Sequence, residues 1–127
     1  MVGIVLVSHS SQIASGLAEL AGQMAGDGVR IEAVGGGPEG SLGTNGDHVR
    51  AALADADAGD GVVVLGDLGS AILTVRHVLD RNGNGHVRLV DAPFVEGAVA
   101  AAVTASVGSS LDDVAKAAED ARGVSKL

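Results

Sequence analysis

Two short stretches hold the residue types that do chemistry. "VGIVLVSHSS" is apolar from Val2 to Val7 and then turns polar at Ser8-His9-Ser10-Ser11. "GVVVLGDLGS" does the same later in the chain, ending on Gly66-Asp67-Leu68-Gly69-Ser70. A carboxylate beside a histidine accepts a hydrogen bond from one ring nitrogen, which fixes the tautomer and leaves the lone pair of the other nitrogen free. That free nitrogen is a nucleophile and can form a covalent intermediate. Each stretch leads into a helical pattern, and the amides of a helix N-terminus favour anions, phosphate above all. The group such a histidine could hold is therefore phosphoryl, whose transfer needs alignment and donors to its oxygens. His9 and Asp67 are the catalytic candidates, with Asp67 offsetting the charge the ring acquires on attack. Ser10, Gly69 and Ser70 are small, let a ligand approach the backbone, and are the phosphate-binding candidates. Plainer roles stand beside these and can coexist with them: His9 as a loop residue, Ser10 and Asp67 as helix caps.

Something must bring two distant stretches together. Four apolar runs read as strands: Gly3–Val7, Val29–Val34, Gly61–Leu65 and His86–Val90. The first and third do not alternate, as suits strands buried on both faces. Helical patterns lie between. Ile13, Leu17, Leu20 and Met24 step by four, three and four along one predicted face. Val49, Leu53 and Ala56 mark a second helix, and Ile72, Val75 and Leu79 a third. An Ala-rich segment follows over about Gly97–Ser106, then a last helix from Leu111 with Ser110 as N-cap and Asp112 and Asp113 in its first turn. The alternation predicts a single α/β domain over residues 1–127: a parallel sheet with helices on both faces. With right-handed crossovers, the common small order is 2-1-3-4. Strands 1 and 3 are then neighbours. Their carboxyl ends flank a switch point, where such sheets bind ligands. His9 and Asp67 both fall there.

Composition narrows the function. The net charge is −8, from 8 Lys+Arg against 16 Asp+Glu, which argues against nucleic-acid binding. With no Cys, there is no disulfide framework, thiol nucleophile or Cys-based zinc site. His48, His77 and His86 are scattered, so no metal site is expected, and no cofactor. The start lacks the basic region of a signal peptide. The longest fully apolar stretch, Ala98–Val103, is far too short to span a bilayer, so a cytoplasmic protein with no membrane contact is expected. "GGGPEG" at 35–40 satisfies G-x-G-x-x-G literally, but it follows the second strand and holds Pro38 and Glu39. It reads as a loop, not a dinucleotide fingerprint. No P-loop motif and no G-x-S-x-G is present.

"IVLVSHSSQIASGLAELAGQM", "GTNGDHV", "VVVLGDLGSAILTV" and "RLVDAPFVEGAVAAAVTASVG" together cover nearly the whole chain. In this order they resemble the phosphotransfer subunit of the bacterial dihydroxyacetone kinase that runs on the phosphoenolpyruvate phosphotransferase system, which opens with a mannose-class enzyme IIA-like domain. The resemblance implies that the carrier protein HPr phosphorylates His9. It implies next that the phosphoryl group passes to ADP held on the nucleotide-binding partner subunit, and that the chain is a homodimer. Asp67 matches the acidic residue that supports the active histidine in mannose-class domains. Those read more like Trp-Gly-Gly after the Asp, whereas this chain has Leu68-Gly69-Ser70, which favours the dihydroxyacetone branch over sugar transport. No HPr-like or enzyme I-like segment is present, so separate donors are implied. Thr44 lies in a matching segment and is a possible border of the site. The rival readings are a IIA domain feeding a sugar permease, a regulatory module sensing a small anion, and a structural oligomerisation domain.

Overall fold

A computed structural model describes residues 1–37, 41–80 and 85–127. The expected alternation is present: β1 (Gly3–Ser8), α1 (Ser11–Ala25), β2 (Ile31–Gly35), α2 (Gly46–Ala56), β3 (Val62–Gly66), α3 (Gly69–Leu79), β4 (Val87–Leu89), α4 (Phe94–Ser106) and α5 (Leu111–Asp120). All pairings are parallel and the order is β2-β1-β3-β4, as the crossover rule predicts. Strand ends differ from the sequence reading by one or two residues. Val29 is buried but precedes β2, and the run at 86–90 contributes only Val87–Leu89 to the ladder.

The unbroken apolar runs have the cause expected of them. Side chains alternate across a strand, so Ile4 and Leu6, with Val63 and Leu65, enter the core under α1, α4 and α5. Val5 and Val7, with Val62 and Val64, enter the opposite core under α2 and α3. Each fully buried Val, Leu or Ile contributes about 1.5–3 kcal/mol over its exposed state. Both cores are aliphatic. Phe94, the only aromatic residue, packs half-buried at the edge of the first.

Two helices correct the sequence reading. On α1 the buried stripe is Ala14, Leu17 and Ala21, whereas Ile13, Leu20 and Met24 are 54%, 43% and 60% exposed. The larger side chains were expected to mark the inner face. Instead the helix lies close on the sheet through alanines, and close approach leaves the bulky residues on the flank. The same packing governs α4, which buries Gly97, Ala98, Ala101, Ala102 and Ala105. A Cβ on Gly97 would lie 3.0 Å from both Ala92 Cβ and Leu65 Cδ2. This helix starts at Phe94, three residues before the expected start, because Pro93 takes the N-cap position with extended backbone. The other helices fit the reading. Val49, Ala56 and Val75 are buried, and Leu53, Ile72 and Leu79 pack at the core margin. Ser110 caps α5 by accepting from Asp113 N–H at 3.2 Å. Of the 35–40 stretch, Gly35 ends β2 and 36–37 are irregular; Pro38 and Glu39 lie outside the described residues.

Candidate active site

β1 and β3 are neighbours in register, with Val7 opposite Gly66, so the residues following them emerge side by side. His9 Nδ1 lies 3.0 Å from Asp67 Oδ1. The carboxylate has further donors. Ser8 Oγ–H donates to Oδ2 at 2.7 Å and His9 N–H to the same oxygen at 3.1 Å, while Leu68 N–H donates to Oδ1 at 2.7 Å. The Asp67 side chain is 14% exposed and that of His9 24%. Burial pushes the Asp67 carboxyl up. The Ser8 hydroxyl, the His9 amide and ring, and the Leu68 amide outweigh it and hold the group below the usual carboxylate range. Asp67 is therefore an anion held in one orientation, and an anion at Oδ1 fixes the proton on Nδ1 of the facing imidazole. Nε2 keeps its lone pair and lies in close contact with the Ser70 hydroxyl.

The setting of Nε2 follows from what does and does not cap the helices. Ser10 caps α1, its Oγ accepting from Ile13 N–H at 3.3 Å. Its own N–H donates to Ser8 Oγ at 3.0 Å, so its hydroxyl hydrogen is the donor left for a ligand. At α3 the N-cap residue is Leu68, and no side chain caps the helix. Asp67 stands one residue too early for that role, and its carboxylate serves His9. The amides of the first α3 turn, Gly69 and Ser70, thus keep their donor capacity beside Nε2. Gly69 opens on free space, since a Cβ there would meet nothing within 4 Å.

Two supporting features escaped the sequence reading. Ser8 is the one buried polar residue among those described, and its hydroxyl ties Asp67 to the His9 loop. Its signal was a serine at the last position of a strand buried on both faces, where a hydroxyl needs a partner. Gly35 lets the end of β2 pass under the same loop, since a Cβ would stand 2.6 Å from Ser10 C=O. Thr44 borders the site only indirectly. Gly43 N–H donates to His9 C=O at 2.9 Å, which lays the loop before α2 against the His9 loop. The Thr44 hydroxyl is closed to solvent and has no hydrogen-bond partner. An oxygen that water cannot touch is closed to a phosphoryl oxygen in the same conformation.

The site is thus a switch-point histidine held by a carboxylate and facing an uncapped helix N-terminus. The chain belongs to the EIIA-man family, the PTS system fructose IIA component, whose model matches residues 3–115. Within it, the chain is 39% identical over 117 residues to the phosphoryl donor subunit DhaM of PEP-dependent dihydroxyacetone kinase 2 from Listeria innocua, covering 90% of this chain and 94% of that one. It is 38% identical over 120 residues to the corresponding subunit of Escherichia coli, covering 90% of this chain but 25% of that longer protein. The resemblance read from the sequence motifs is therefore borne out. The crystal structure of a protein of unknown function, EF1359, superposes with a TM-score of 0.81 at 34% identity, covering 94% of this chain and 95% of that one.

Proposed function

We propose that the chain is a phosphohistidine carrier, taking a phosphoryl group from HPr on His9 Nε2 and passing it to ADP held by the nucleotide-binding subunit of a dihydroxyacetone kinase. The observation that carries this reading is the orientation of the ring: Nδ1 faces the Asp67 carboxylate at 3.0 Å and Nε2 faces Ser70 at the uncapped start of α3. On phosphorylation the P–N bond of phosphorylated HPr breaks, its electron pair returning to the donor's ring, and a P–N bond forms at His9 Nε2. The proton stays on Nδ1, hydrogen-bonded to the Asp67 carboxylate, whose negative charge balances the positive ring. The Ser70 hydroxyl turns from Nε2 to a phosphoryl oxygen, joined by the first amides of α3 and the Ser10 hydroxyl. Return of the electron pair to Nε2 releases the group to the acceptor.

The acceptor assignment rests on the dihydroxyacetone kinase relatives and on the charge of the chain. There is no P-loop, only two lysines, and a net charge of −8. A free nucleotide is repelled by such a surface, so a partner protein must hold it. Among the described residues no helix is long and apolar enough to cross a membrane. The homodimer implied by the family resemblance belongs to this reading and is checked by sedimentation equilibrium.

The test is incubation with phosphoenolpyruvate, enzyme I and HPr, followed by intact mass. The phosphorylated protein is then offered ADP alone, ADP on the purified partner subunit, and a sugar-permease domain. One acid-labile phosphoryl group and transfer only to partner-held ADP are expected. Fast transfer to free ADP, or transfer only to the permease domain, would overturn the reading.

A further inference from the structure

A helix at the surface of a domain turns apolar residues to the core and polar ones outward. α5 follows this rule, with Asp112, Asp113, Lys116, Glu119 and Asp120 around a buried Val114, Ala115 and Ala118. α4 does not. Its inner face buries Gly97, Ala98, Ala101, Ala102 and Ala105, and Glu96 is its one charged residue. Val95, Val99 and Val103, spaced by four, lie along its outer side, where Val95 and Val103 are exposed. With Ala100 they form one wall of a groove of about 650 Å³, whose other wall includes Ala117 and Val124. The charged groups at the groove are already paired: Glu96 with Lys126 at 2.9 Å, and Asp120 with Lys116. A helix that is apolar on every side belongs in an interior, and here one side has no cover within the chain.

We propose that a second copy of the chain covers this groove, with α4 packed on the α4 of that copy across a two-fold axis. The inference rests on the homodimer of the carrier reading above and assigns its face. In a two-fold contact the same patch serves both copies, and residues at the axis meet their own counterparts. A chain of net charge −8 opposes most such contacts, because acid would meet acid. On this face valine meets valine, and the flanking ion pairs bring no net charge. Ala100 and Ala117 are small, so the helices of the two copies can approach to about 8 Å, the close end of helix packing. A bilayer surface fits less well. Helices that lie on membranes carry Lys and Arg beside their apolar face, whereas Lys126, the only cation lining the groove, is tied to Glu96. None of the lining residues belongs to the His9 site, so closing the groove against a copy takes no residue from either carrier site.

The test is sedimentation equilibrium over a concentration series for wild type, Val103→Ile, Val103→Asp, Val95→Asp and Leu73→Asp. Phosphorylation by HPr, read by intact mass, checks that the variants on the stripe are folded. Val95 is the more exposed of the two stripe positions, so its aspartate is the change the fold tolerates best. Leu73 is an exposed apolar residue of α3, in the other helix layer. Each stripe aspartate places a carboxylate in the contact from both copies and should raise the dissociation constant at least about 10²-fold, with phosphorylation by HPr retained. Val103→Ile keeps the face apolar and should stay as dimeric as the wild type, as should Leu73→Asp. A dissociation constant unmoved by the aspartates, or raised as much by Leu73→Asp, would overturn this face while leaving the homodimer in place. A wild type that stays monomeric throughout would overturn the face and the homodimer together, while phosphoryl transfer stands or falls by its own assay.

Discussion

Among the described residues there are two histidine–aspartate pairs, one at each end of the sheet, and they differ in nearly everything but residue type. At the carboxyl end His9 faces Asp67 in a half-buried setting, with the carboxylate receiving four donors. At the amino end His86 Nε2 lies 2.8 Å from Asp57 Oδ2, with side chains 48% and 33% exposed. Asp57 is the C-cap residue of α2, where the helix presents carbonyls, the wrong polarity for an anion. Asp67 precedes the uncapped amides of α3. Asp57 is also held below the ordinary carboxylate range, by the Gly59 amide first and His86 second. A lowered carboxyl beside a histidine is thus no mark of a site. The distinguishing features are an orientation fixed by several donors, a free ring nitrogen, and a helix N-terminus to meet the anion.

That contrast can be broken most easily at the histidines. His9→Ala should abolish phosphorylation by HPr, whereas His86→Ala should leave it within about 2-fold; a phosphoryl mass on the His9 variant would end the distinction. The carboxylates come next. Asp67→Asn should slow transfer by about 10²–10⁴-fold, the range for a group that orients a catalytic imidazole, and Asp57→Asn should leave the rate within about 2-fold. Stopped-flow transfer from phosphorylated HPr measures both. Ser8→Ala should slow transfer by about 10-fold and lower stability by about 1.5–3 kcal/mol, since it removes a hydrogen bond to a partly buried carboxylate and strands the Ser10 amide. Urea unfolding at neutral pH reads the second effect.

The smallest expected effect is in acid. Asp67 has its folded pKa below the unfolded value of about 3.9. Its ionised form therefore stabilises the fold above that pH, and the contribution disappears as pH falls through the folded pKa. The stability gap between wild type and Asp67→Asn should close progressively below about pH 4. A gap that stayed constant to pH 2 would mean that the carboxylate is not preferentially ionised in the fold.

The contrast also explains what could be read from sequence. Strand order and the meeting of His9 with Asp67 follow from alternation, handedness and the two unbroken apolar runs, which are long-range but regular. The face of α1 was misread because periodicity weighs Ile13, Leu20 and Met24 above alanine, whereas close packing on the sheet selects Ala14 and Ala21. Ser8 and Gly35 were missed because their roles exist only between loops of different strands: a hydroxyl bridging two chain segments, and an absent Cβ under a third. For Thr44, local sequence does not specify where its hydroxyl turns, and in the fold that hydroxyl is closed to solvent.

The most direct test of the central claim is a nitrogen–phosphorus correlation spectrum of the ¹⁵N-labelled protein phosphorylated by enzyme I and HPr. Phosphorus coupled to Nε2 of His9, with Nδ1 still protonated, is the expected result. Coupling to Nδ1, or to a ring nitrogen of His48, His77 or His86, would contradict it.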